Sequence, residues 1–118
     1  MTNSVLILAG VLSILLGLIH SFLGERMIFM PLRTDKGGTP LHKYRGILWA
    51  TWHLVTLFGA CLGLYLIQLA GVDIPGRLTI YIGCVMLVGT ILVIVGTKGK
   101  HPGWIILLAI AVLTWIAG

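Results

Sequence analysis

Four long apolar runs restrict what this chain can fold into more tightly than any other feature. Residues 5–23, 46–70 and 78–96 hold no formal charge, and a fourth run occupies residues 103–118. A helix needs roughly 20 residues, at about 1.5 Å of rise each, to cross the hydrocarbon of a bilayer. The first three runs meet that length. The fourth does so once His101 and Pro102 join it, because proline is well tolerated in the first turn of a helix. Every backbone N–H and C=O in lipid must be bonded within its own helix, which excludes irregular structure across these runs. The expected architecture is all-α: one domain over residues 1–118, an integral membrane four-helix bundle. Its helices are expected at about residues 5–23, 46–70, 78–96 and 102–117, with a loop at 31–41.

Charge is scarce and unevenly placed. Charged residues make up 9% of the chain, against about 25% in a soluble domain, too few to coat a water-facing surface. Arg26, Arg33, Lys36, Lys43 and Arg45 lie between the first two runs, and Lys98 and Lys100 between the last two. Arg77 alone lies in the remaining connection. Basic loops stay on the cytoplasmic side, so both basic loops are expected inside and both termini outside. The net charge of +5 then reports topology and contact with anionic lipid. No nucleic acid is expected as a partner, because the basic residues flank helix ends and form no broad patch. The first run is expected to be a retained helix. Residues 1–4 carry no positive charge, and Gly24-Glu25-Arg26 stands where a signal cleavage site would lie.

Helices in lipid associate through small residues and buried polar groups. In the first run Gly10, Ser13, Gly17, His20 or Ser21, and Gly24 recur every three or four residues, which is one face of a helix. In the second, Arg45, Trp49, His53, Thr56, Ala60 and Gly63 do the same, with Gly59 and Gly63 as a G-x-x-x-G pair. In the third, Gly83, Thr90 and Thr97 stand seven apart. His20 and His53 therefore sit on packing seams, in the half nearest the basic loops, and His101 begins the fourth helix at that end. Glu25, Arg45, Lys98 and Lys100 rim the same end, while His42 is expected in the loop, facing water. Cys61 and Cys84 form no C-x-x-C pair and read as small packing residues. Tyr65 and Trp115 fit an outer aromatic belt, and Tyr44 an inner one.

Polar side chains within a membrane span are costly and mark functional sites by default. Several readings of the histidine cluster stand open. A pocket for a quinone, sterol, fatty acid or lipid would be lined by Trp49, Trp52, Phe22 and Trp104. His20, His53 and Arg45 would orient its polar head, with Glu25 and His101 beside them. A metal- or haem-binding redox protein would draw on His20, His53, His101 and Glu25, although no helix carries the E-x-x-H spacing of di-iron bundles. A channel or transporter subunit, assembled as a homo-oligomer, would use histidines that titrate near neutral pH. In a structural role the imidazoles would only hydrogen-bond across helices. Glu25 reads either as a salt-bridge partner for Arg26, Arg45 or Lys98, or as a general acid at the rim. Catalysis is left open, and no soluble-enzyme motif is present. Ser21, beside His20, is the single candidate nucleophile, and adjacent residues on a helix point about 100° apart, so that pair is not expected to bond. The ligand pocket in the cytoplasmic half is the expectation carried forward.

The segments IHSFLGER, RGILWATWHL and KHPGW together resemble a group of small bacterial four-helix membrane proteins. The likeness covers most of the chain and implies a multi-pass protein of the bacterial inner membrane, with no activity attached. In size and helix count the chain is also similar to DoxX-like proteins and to the sterol-binding EXPERA group. The EXPERA group carries acidic residues within its helices, whereas Glu25 here lies at the rim. No binding residue is carried over from it. What that likeness implies is a hydrophobic ligand.

Overall fold

A computed structural model of the chain describes residues 3–36, 38, 40–73 and 76–118. Helix α1 (Ser4–Gly24) starts at Asn3, whose side chain accepts from the N–H groups of Val5 and Leu6 and so satisfies donors the first turn leaves free. The chain then makes one π turn, Glu25–Phe29, and resumes as α2 (Met30–Thr34). A 3₁₀ turn at Pro40–Tyr44 leads into α3 (Arg45–Leu69), followed by α4 (Gly76–Thr97) and α5 (Gly103–Ala117). No strand occurs among the described residues. The helical rods Ser4–Thr34, Pro40–Leu69 and Gly76–Thr97 are long and apolar enough to cross a membrane, and Gly103–Ala117 is a shorter apolar helix.

The first rod runs past its apolar run, through residues 24–30 and on to Thr34. Pro31 comes just after the π turn, in the first turn of α2, a position where helix tolerates proline, and helix continues through Thr34. The loop expected at 31–41 shrinks accordingly, and residues 37 and 39 within it lie outside the described residues. The last helix begins one residue later than expected, with Pro102 as its cap.

Packing places α1 at the centre. It lies against α3 on one side and α5 on the other, and α5 lies against α4; α3 and α4 make no comparable contact. Glycine builds the α1–α3 contact. Gly10, Gly17 and Gly24 are all buried, seven residues apart, a heptad spacing that keeps one stripe toward a partner helix. A Cβ on Gly10 would stand 2.5 Å from the Gly63 carbonyl oxygen, one on Gly17 3.2 Å from the Thr56 carbonyl oxygen, and one on Gly24 would strike the Trp52 indole. Without those side chains the backbones approach closely, and Ser13 Oγ donates to the Gly59 carbonyl at 2.7 Å.

The tightest core joins Leu6 and Ala9 of α1 to Leu66, Ile82, Met86, Ile110 and Ala111. It closes at the end where the chain termini lie: Asn3 N–H donates to Ala70 O at 2.7 Å, and Asn3 Nδ2 donates to Ala117 O at 3.1 Å. The buried hydroxyls of Thr90 and Thr114 are satisfied within their own helices, by Met86 O and Ile110 O, as threonine allows. Cys61 and Cys84 are exposed rather than packed.

Candidate functional site

The π turn organises the basic end. It takes one residue more than an α turn, so Arg33, eight residues past Glu25, stands where a seventh residue would in uninterrupted helix. That puts the two side chains on one face. Arg33 Nη2 pairs with Glu25 Oε1. Trp49 Nε1 donates to Glu25 Oε2 at 3.1 Å, and His53 Nε2 lies 3.5 Å from the same oxygen. On the far side of the imidazole, His53 Nδ1 is hydrogen-bonded with the Ser21 hydroxyl. Trp49 meets the His53 ring edge-on, with centroids 4.7 Å apart, and buried Phe29 lies 6.2 Å from it. His53 Nε2 is itself buried and makes no hydrogen bond, despite its nearness to the carboxylate.

Serine hydroxyl, imidazole and carboxylate thus stand in series, the order found in activated nucleophiles. Ser21, however, lies inside α1, where backbone N–H groups are already bonded along the helix. No pair of backbone donors is free there to hold an oxyanion. What the series does in this geometry is clamp α1 to α3.

His20 turns the other way. Its ring lies flat on Trp52, with centroids 4.2 Å apart and planes 6° from parallel, and Trp52 Nε1 donates to the His20 carbonyl at 3.0 Å. Beside this stack, two cavities open. One of about 290 Å³ lies among α1, α3, α4 and α5, from His20, Trp52 and His101 past Thr56 and Val93 to Met86 and Leu107. The other, about 490 Å³, shares His20, Trp52, Thr97 and His101 and extends to Met27, Lys100 and Pro102. Small-molecule sites occupy roughly 300–1,000 Å³ and are mostly apolar with a few placed polar groups. These cavities fit that description.

The polar groups on the walls are mostly committed. Thr97 Oγ1 donates to Val93 O at 2.6 Å, and Ser13 is bonded to Gly59. Gly103 N–H donates to His101 Nδ1 at 3.1 Å, which assigns the ring proton of neutral His101 to Nε2. Thr56 Oγ1 is different. It is buried at the wall of the smaller cavity with no partner.

The residues expected to share one pocket are therefore distributed. His20, Trp52 and His101 line the cavities, while Glu25, Trp49 and His53 form the network beside them. Arg45 is exposed, 3.4 Å from His42, and with Trp49, Phe29 and Arg33 borders an open hollow of about 180 Å³. Trp104 donates to the Gly99 carbonyl at 3.3 Å and lines neither cavity. Phe22 is exposed beneath the Arg26 guanidinium. Glu25 is paired with Arg33, and not with Arg26, Arg45 or Lys98, because the π turn aligns those two positions. Among the described residues no three His, Cys, Asp or Glu side chains gather where they could hold a metal ion.

The sequence sets Ser21 on the first helix's seam but carries no signal for its pairing with His53. Thr56 stands on the seam of α3, but its unpartnered hydroxyl has no sequence signal. No family model, curated protein or solved structure matches the chain.

Proposed function

We propose that this is a multi-pass membrane protein that holds a small amphipathic molecule in the cavities beside the His20–Trp52 stack. Both basic loops face the cytoplasm and both termini the opposite side. The likeness to small bacterial four-helix proteins supports the bacterial inner membrane as its location. One observation carries the ligand reading: in the smaller cavity the apolar side chains of Leu16, Val93, Met86 and Leu107 face the same space as a few polar groups, His20, Thr97 and His101, the make-up of a small-molecule site. Thr56 also lines this cavity, but its hydroxyl oxygen is buried without a partner and does not open to it. Leu16, Val93 and Leu107 would cover the ligand's apolar part.

Native mass spectrometry of the protein released from mild detergent tests the proposal. The wild type is expected to carry one small amphiphile per chain, and Val93→Trp, which fills the smaller cavity, is expected to lose it. A wild type free of adduct, or a filled variant that keeps it, refutes the reading.

A further inference from the structure

We infer that the bound molecule is an anionic single-chain amphiphile, with a carboxylate or phosphate head held at Lys100, His101 and His20 and an aliphatic tail directed toward Met86. The inference rests on the ligand reading above and adds the chemistry of the head. Lys100 and His101 line the larger cavity, His20 and His101 line both, and no acidic side chain lines either. Glu25, the nearest carboxylate in sequence to His20, is taken up by Arg33 and Trp49. This end of the cavities is therefore cationic and has no counter-charge of its own.

The backbone delivers the cation there. Lys98 has φ 53° and Gly99 φ 74°, and Gly99 N–H donates back to Ile94 O at 2.9 Å, which ends α4 in the left-handed manner common to helix C-termini. Two left-handed residues in succession turn the chain, so Lys100 and His101 return to the cavity. A left-handed conformation is disfavoured at lysine relative to right-handed backbone. Helix α5 begins directly after, and Gly103 lines both cavities. The positive end of the α5 dipole adds to the field of Lys100 and favours an anion. A charged head accepting from an ammonium and an imidazole N–H makes the stronger class of hydrogen bond.

The direction of the tail follows from the walls. Beyond His20 the smaller cavity is bounded by Leu16, Val93, Met86 and Leu107, a lining suited to methylene groups. A head at the basic end and a tail running inward is also the orientation of an amphiphile in the adjoining bilayer leaflet. Entry from that leaflet requires no inversion.

The test places the protein in phosphatidylcholine nanodiscs and follows quenching of tryptophan fluorescence by bromine-labelled probes. Three probes are compared: dibromostearic acid, dibromostearyl alcohol, and a bromine-labelled lysophosphatidic acid. Trp52 is the expected reporter, so Trp52→Phe should remove most of the saturable signal. The account predicts saturable quenching by at least one anionic probe, with the alcohol at least tenfold weaker. Lys100→Gln should weaken the anionic probe several-fold and leave the alcohol unchanged; this exposed position puts little of the fold at risk. The tighter of the two anions identifies whether the natural head is carboxylate or phosphate. An alcohol that binds as tightly as the acids overturns the anionic head while leaving the cavity reading intact. No saturable quenching by any probe overturns both.

Discussion

Adding a single methyl group at Gly63 probes the contact on which α1 and α3 depend. A Cβ there would lie 2.5 Å from the Gly10 carbonyl oxygen and 2.7 Å from Ile14 Cγ1. The carbonyl is backbone and has no rotamer by which to withdraw, so the helices must part. Overpacking of this kind costs typically 1–3 kcal/mol, offset by about 0.5–1 kcal/mol for replacing glycine with alanine inside a helix. Gly59, one turn earlier on α3, supplies the control. Its Cβ would meet nothing nearer than Ser13 O at 3.9 Å, so Gly59→Ala should be neutral or stabilising by about 0.5–1 kcal/mol. The two substitutions should therefore move stability in opposite directions, although the sequence presents both glycines as one G-x-x-x-G pair. Reversible unfolding by dodecyl sulfate in mixed micelles, followed by circular dichroism, measures the difference. Equal losses at the two positions, or no loss at Gly63, would refute the packing described.

Three further substitutions separate the roles of neighbouring groups. Ser21→Ala leaves His53 Nδ1 without its hydrogen-bond partner and should cost about 1–3 kcal/mol in the same assay; a loss under about 0.5 kcal/mol would show that the clamp contributes little. Thr56→Val removes the unpaired hydroxyl at nearly constant shape, so the protein should hold or gain up to about 1 kcal/mol. A destabilised, ligand-free Thr56→Val protein would mean that the hydroxyl has a partner in the fold. Lys98→Gly relieves the left-handed backbone at φ 53° and should stabilise the protein by about 1 kcal/mol. A glycine variant less stable than wild type would contradict that conformation.

Much of the fold was legible because lipid leaves helices few means of association. Gly10, Ser13, Gly17 and Gly24 recur at helical spacing, and all four are buried in the structure. Apolar side chains carry no such message, since leucine suits the lipid-facing side and the interior equally. That is why Cys61 and Cys84, assigned to the interior by size, lie on the outside. The π turn was illegible. It exchanges one pattern of backbone hydrogen bonds for another without a compositional mark, and the pairing of Glu25 with Arg33 depends on it. Trp49 and Trp52 look alike in sequence, yet Trp52 lies over buried Gly24 and against His20 while Trp49 reaches Glu25. The cavities arise because α3 and α4 do not close on each other, a property of helix arrangement that no local pattern encodes.

Photo-crosslinking tests the central claim most directly. A fatty acid bearing a diazirine in its chain is irradiated with the protein in phosphatidylcholine bilayers, and the labelled residues are mapped by peptide mass spectrometry. The account predicts label on Leu16, Val93 and Leu107 at the cavity wall, displaced by excess unlabelled fatty acid. Label confined to outward-facing residues such as Val85, Leu92 and Ile116, undiminished by the competitor, would contradict it.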